Sequence, residues 1–267
     1  MTEILLGSHV EPEDPIAGAQ ERGAKIAQLM LGHPQQWTAP TVAYPAGADA
    51  LREAAASAEV KLVVHSAYLI NLASTNTRVR IPSRQLLQKT LNAAATIGAI
   101  GVVVHGGRVA GEEELDAGYD NWFKAVDKLE FPVPLLIENT AGGAFSMART
   151  LEGWQRLWQA VSAGAGAAQI GVCLDTCHAH SAGLDLFSFA DALKTLTGRI
   201  DLVHANDSRD AAGSGADRHA NLGQGQIDPV AIVAAVRQAE APVVVETPGD
   251  PSAQAADIEW LRARLVA

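Results

Sequence analysis

Short apolar runs recur along the chain, and eight of them stand out: EILLGSH (3–9), KIAQLML (25–31), KLVVHS (61–66), GVVVHGG (101–107), PLLIENT (134–140), IGVCLDT (170–176), IDLVHAND (200–207) and PVVVET (242–247). Polar, Gly-rich residues and then a helix-like stretch follow each. Apolar runs without alternation suit parallel strands buried on both faces. The intervening segments Ser83–Ile97, Glu112–Leu129, Leu151–Val161, Leu186–Leu196 and Pro229–Gln238 have helical length and character. Eight βα units in 267 residues match the count and size of a closed (β/α)8 barrel, expected here as an α/β TIM barrel forming one domain over residues 1–267. An open doubly wound sheet competes, but it advertises a Gly-rich phosphate loop after its first strand, and GSHVEPEDP is no such loop. The longest irregular stretch, Asp207–Gln226, follows the seventh run, and a loop of that length in a compact domain usually carries function.

Composition narrows the class. A 48% hydrophobic chain of this length buries a sizeable core. Two cysteines make no disulfide framework, and MTEILLGSHV has neither the basic flank nor the apolar run of a signal peptide. No segment reaches the roughly 18 uninterrupted apolar residues of a membrane span. A soluble cytoplasmic monomer without an organic cofactor is expected. The formal net charge of −10 argues against a general basic surface for nucleic acid, yet bound cations stand outside that count and can reverse the field locally.

The strand ends carry the chemistry. His65, His105, Glu138, Asp175, His204 and Glu246 close the third to the eighth runs, and a barrel brings all six to its C-terminal rim, where sites of this fold are built. A lone strand-end histidine is more often a hydrogen-bonded structural residue. Six residues drawn only from His, Asp and Glu are another matter, because three carboxylates in a confined cleft require cations. His178 lies three residues beyond Asp175 in the expected loop after strand six, and GADRHANLGQG supplies Asp217 and His219 at a spacing that aims both the same way in extended chain. Nine nitrogen and oxygen donors exceed the needs of one tetrahedral ion, so two or three ions sharing a carboxylate are expected. Mixed imidazole and carboxylate favour zinc, with manganese or iron as alternatives. Metals so grouped suit hydrolysis of phosphate esters.

HSAYLINLAS, VVVHGG, LLIENTAG, GVCLDTCHAHSAGLDL, VHANDSRD, GADRHANLGQGQI and VVVET, in this order, resemble the endonuclease IV family of abasic-site DNA repair nucleases, and the resemblance runs from GSHV to ETPG. It implies a trinuclear zinc site. His65, His105 and Glu138 would hold one ion; Glu138, bridging, would hold a second with Asp175, His204 and Glu246; His178, Asp217 and His219 would hold the third. It also implies cleavage of the phosphodiester 5′ to an abasic site in duplex DNA, with Glu138 positioning the attacking oxygen, a 3′-hydroxyl product and trimming of blocked 3′ ends. Three such ions would add six charges to the formal −10 and leave −4.

Family loops that enter the minor groove resemble GHPQQW and SAYLINL here, which carries a DNA-binding role to Gln36, Trp37, Tyr68 and Asn71. Arg78, Arg80, Arg108, Arg209 and Arg218 lie in or near the same loops. GSHVEPEDPIAGA, Gln35 and HGGR depart from the family pattern, which bears on DNA grip and leaves the metal chemistry untouched. His9 and His33 also end apolar runs, and the resemblance gives neither a ligand role. Cys173 and Cys177 are expected as packing residues. A metal-dependent sugar isomerase or epimerase on the same barrel, and a non-catalytic zinc or DNA-binding relative, are the rival readings. The first has no use for a third donor trio, and the second is free to lose ligands that are all present here.

Overall fold

Eight parallel strands close on themselves in the order β1 (Leu6–His9), β10 (Val243–Val245), β7 (Leu202–His204), β6 (Ile170–Asp175), β5 (Leu135–Glu138), β4 (Val102–His105), β3 (Lys61–His65) and β2 (Ile26–Met30). The computed structural model describes residues 4–266. Each of the eight apolar runs contributes one strand, so the chain is a (β/α)8 barrel as expected. β8 (Asp207–Ser208) and β9 (His219–Ala220) form a separate antiparallel ribbon inside the long stretch after β7.

Strand alternation stacks the barrel interior in two layers. The lower one is apolar: Ile26, Val63, Val103, Leu136, Cys173, Leu202 and Val244, one from each of seven strands, form a closed cluster. The eighth strand offers Gly7, where a Cβ would stand 1.7 Å from the Ile26 carbonyl oxygen, so only glycine fits. Two residues further along each strand come His9, Gln28, His65, His105, Glu138, Asp175, His204 and Glu246. The pairing register sets His105 opposite Glu138 and Asp175 opposite His204. The sheet thus carries a polar ring on an apolar floor. Outside it, a larger core that includes Leu29, Val64, Trp122, Trp154 and Ile232 fills the space between strands and helices.

The helices are α1 (Pro15–Glu21), α2 (Gly47–Ser57), α3 (Thr77–Thr96), α4 (Leu115–Lys128), α5 (Leu151–Ser162), α6 (Thr176–Ala182), α7 (Leu186–Thr197), α8 (Pro229–Ala239) and α9 (Pro251–Leu265). Among the described residues no helix is long and apolar enough to cross a membrane. Side-chain caps start most of them: Asp14, Asn76, Thr150, Asp175, Asp185, Asp228 and Asp250 each accept a backbone N–H of the first turn. Four helices, α1, α2, α6 and α9, lie outside the segments expected from the sequence. α3 begins at Thr77 instead of Ser83, because Pro82 sits inside it without ending it. A 3-10 turn, Glu112–Glu114, precedes α4 at the expected start. α6 corrects the placement of His178, which lies in the first turn of a helix and not in a loop.

Candidate metal centre and nucleic-acid cleft

Asp175 ends β6 and caps α6 at once: its Oδ1 accepts the His178 backbone N–H at 2.7 Å. That capping geometry fixes His178 one helical turn above Asp175, pointing to a different part of the rim. The remaining ring members project inward from strand ends. Asp217 and His219 descend from the loop carrying β9. The structure brings all nine residues singled out in the sequence together as three donor groups. His65, His105 and Glu138 form one, Glu138, Asp175, His204 and Glu246 a second, and His178, Asp217 and His219 a third, with the donor atoms of each group within 4.8 Å of one another.

Glu138 sits between two groups. Its Oε2 lies 3.2 Å from His65 Nε2 and 3.4 Å from His105 Nε2, while its Oε1 lies 3.0 Å from His204 Nδ1. Asp217 plays the corresponding part in the third group, with Oδ2 3.1 Å from His178 Nε2 and Oδ1 3.2 Å from His219 Nε2. Four histidines have their outer nitrogen tied. His65 Nδ1–H donates to the Ser66 carbonyl at 2.8 Å, His178 Nδ1–H to the Asn139 carbonyl at 2.9 Å and His219 Nδ1–H to the Glu246 carbonyl at 3.2 Å. A carbonyl only accepts, so the other ring nitrogen of each is free to act as a ligand. The fourth, His204, is tied through Nε2 to Gln28 Oε1 at 2.8 Å.

Electrostatics divide the ring. Burial works to raise the Glu138 carboxyl, but the His204 and His105 rings and hydrogen bonds from His178 and His204 outweigh it and hold the group well below the usual range. At Asp175 burial dominates and lifts the carboxyl. Burial drives His105 down to about 4 against the pull of Glu138. At His219 burial opposes the charge, yet Asp217 and Asp175 raise the ring to about 9.

The residues present fit divalent cations. Every ion-pair contact of Glu138, Asp175, Asp217 and Glu246 among the described residues is to a histidine; no lysine or arginine compensates them. His219 Nε2 is buried and has no aligned hydrogen-bond partner despite the nearby Asp217. Five imidazoles and four carboxylates are donors of the type zinc, manganese and iron accept. Cys173 stands near Glu138 and His204, and Cys177 near Asp175 and His219. Burial pushes both thiols up to about 12.

A groove of about 470 Å³ opens beside the ring, lined by Tyr68, Asn71, His105, Arg108, His178 and Asp217 among others. Tyr68, 49% exposed, stacks on His105 with ring centroids 5.8 Å apart. Trp37, also 49% exposed, and the exposed Gln36 occupy the loop after β2. Asn71 is differently employed: its Oδ1 accepts the Arg108 N–H and its Nδ2 donates to the Arg108 carbonyl, so the amide braces two rim loops. Of the arginines, Arg80 is committed to the Ser74 and Thr75 carbonyls, Arg209 to the His219 carbonyl and Arg218 to Asp210, whereas Arg78 and Arg108 are exposed.

Residues 16–264 match a family described as xylose isomerase-like TIM barrel. The chain is 53% identical over 262 residues to the probable endonuclease 4 of Mycobacterium ulcerans (strain Agy99), covering 98% of this chain and 99% of that one. The chain belongs to the endonuclease IV family. The crystal structure of endonuclease IV from Thermus thermophilus superposes with a TM-score of 0.83 at 29% identity, over 98% of this chain and 99% of that one. A D-tagatose 3-epimerase-like protein gives a TM-score of 0.77 at 19% identity over 97% of each chain, a likeness of fold alone.

Three residues that the resemblance to the endonuclease IV family did not bring forward complete the centre. Asn139 exchanges hydrogen bonds with the Asp175 backbone, donating to its carbonyl and accepting its N–H. Asn206 donates to Asp175 Oδ2 and accepts the Glu246 N–H. Gln28 joins Glu246 to His204. Asn139 and Asn206 follow Glu138 and His204 by one and two positions, a signal present in the sequence. Gln28, between Ala27 and Leu29 in β2, has no ligand-type neighbour in the sequence to mark it.

Proposed function

We propose that this chain is a metal-dependent endonuclease that hydrolyses the phosphodiester on the 5′ side of abasic sites in duplex DNA, leaves a 3′-hydroxyl end and trims blocked 3′ ends. The reading rests above all on the third donor group, His178, Asp217 and His219, standing beside the two groups that share Glu138. Sugar isomerases and epimerases on this barrel need one or two ions and have no use for it. The names of the mycobacterial relatives point the same way.

In this reading His65, His105 and Glu138 hold the first ion, Glu138, Asp175, His204 and Glu246 the second, and the trio the third, with zinc at each and manganese or iron as substitutes. Bound there, the ions supply Lewis acidity toward the phosphoryl oxygens and an activated water. The chain's own part is positional. Glu138, held deprotonated, presents one oxygen to each of two groups. The main-chain carbonyls behind His65, His178 and His219 fix which ring nitrogen faces inward. Tyr68 and Trp37 offer exposed ring faces on which bases stack as the abasic sugar turns out of the duplex toward the groove, and Gln36 offers an amide beside them. The chain acts on DNA as a monomer in the cytoplasm.

A duplex oligonucleotide carrying one tetrahydrofuran abasic analogue tests this. The protein is expected to nick it immediately 5′ of the analogue, to leave an end that a polymerase extends and to spare the undamaged duplex. No nicking with zinc or manganese restored overturns the reading.

A further inference from the structure

Three of the four tied histidines of the donor groups are anchored by main-chain carbonyls, which no side-chain replacement removes. The fourth anchor is a side chain. Gln28 ends up in the ring because Ile26, two positions before it, belongs to the apolar floor. It is fully buried and makes three contacts: Nε2 to Glu246 Oε1 at 2.6 Å, Nε2 to His9 Nδ1 at 3.3 Å and Oε1 to His204 Nε2 at 2.8 Å. A carboxylate oxygen only accepts, so the Gln28 amide nitrogen must face Glu246. The amide oxygen then faces His204, and an amide oxygen also only accepts. His204 must therefore carry its hydrogen on Nε2.

Once the ring is neutral, as a metal ligand must be, that assignment leaves the His204 Nδ1 lone pair pointing at the carboxylates, 3.0 Å from Glu138 and 3.4 Å from Glu246. The same amide holds Glu246 Oε1, so that carboxylate turns its Oε2 to the His204 Nδ1. We infer that Gln28 is a positioning residue for the second donor group: it selects Nδ1 as the ligand atom of His204 and orients Glu246 toward the same point. No other side chain among the described residues hydrogen-bonds both the His204 ring and the Glu246 carboxylate. The inference rests on the metal-centre reading above and names the device that shapes one of its three groups.

The test uses the full-length zinc-loaded protein. Histidine nitrogen NMR of the wild type is expected to show His204 protonated at Nε2 and bare at Nδ1. In Gln28→Met, similar in length and unable to accept or donate, that Nε2 proton signal is expected to vanish or shift. One ion of the set should then pass to a competing chelator about 10–100-fold more readily, the loss typical when the partner behind a ligand is removed, with unchanged far-ultraviolet circular dichroism. Gln28→Met that keeps every ion at wild-type resistance overturns the inference. So does a wild-type His204 protonated at Nδ1, a result that needs no variant to fold. Wild-type protein that binds no metal at all overturns the metal-centre reading instead, so the two failures are distinguishable.

Discussion

A carboxylate buried without lysine or arginine beside it persists only where other positive charge compensates it. Glu138 is the extreme case here, fully buried and shared between two donor groups. Glu138→Gln keeps the shape and one acceptor but removes the charge. Because replacing a residue behind a ligand already costs about 10–100-fold, this change is expected to lower abasic-site cleavage by more than about 100-fold, measured on the tetrahydrofuran duplex. Folding, followed by circular dichroism, should survive, since an uncharged amide is easier to bury. Most of this chemistry was legible in the sequence, because His, Asp and Glu at strand ends declare themselves by residue type. Gln28 did not. An uncharged amide in an apolar run carries no electrostatic signal, and its role depends on the register that sets it beside Glu246 and His204, which only the closed barrel fixes. Asn71, given a DNA-binding role by the family resemblance, has its amide engaged with the Arg108 backbone while it lines the groove.

The loop that delivers Asp217 and His219 is long, yet it is tied at its root by one side chain. Asp207, fully buried, accepts four backbone N–H groups, from Ser208 and Ile227 at Oδ1 and from Gly223 and Gly225 at Oδ2. A Cβ on Gly225 would stand 2.3 Å from the Asp207 carboxylate, so this close wrap also demands glycine. Asp207→Asn turns an acceptor into a donor facing N–H groups. It is expected to cost about 1–3 kcal/mol in denaturant titration and to speed proteolytic nicking within residues 209–218. The sequence marked this segment by its length but gave no hint of its tie point. Helix starts were more legible than they were read. Asp-Pro opens α8, and the same dipeptide at Asp14-Pro15 and Asp250-Pro251 opens α1 and α9, with aspartate as cap and proline in the first turn. α2 has no capping side chain at all, and its Ala-rich run resembles neither strand nor loop strongly enough to mark a boundary.

At the scale of the whole molecule, the eight apolar runs were enough to give the barrel, since parallel strands buried on both faces leave few other closures. What they did not give is the sharp boundary between floor and ring, apolar below and polar above in all eight strands. Seven apolar side chains and Gly7 seal the barrel beneath the polar layer. Access to the polar layer is thereby limited to the rim, where the groove beside Tyr68 opens. A duplex seated there becomes a stopper. Metal stripping by a chelator is expected to slow about tenfold when product DNA is present at about ten times its Kd, followed as zinc release to a chromogenic chelator. Unchanged release kinetics would mean that the ions have a second exit. Slowed release, by contrast, would make resistance to metal scavengers a property of the DNA-bound complex and not of the free protein.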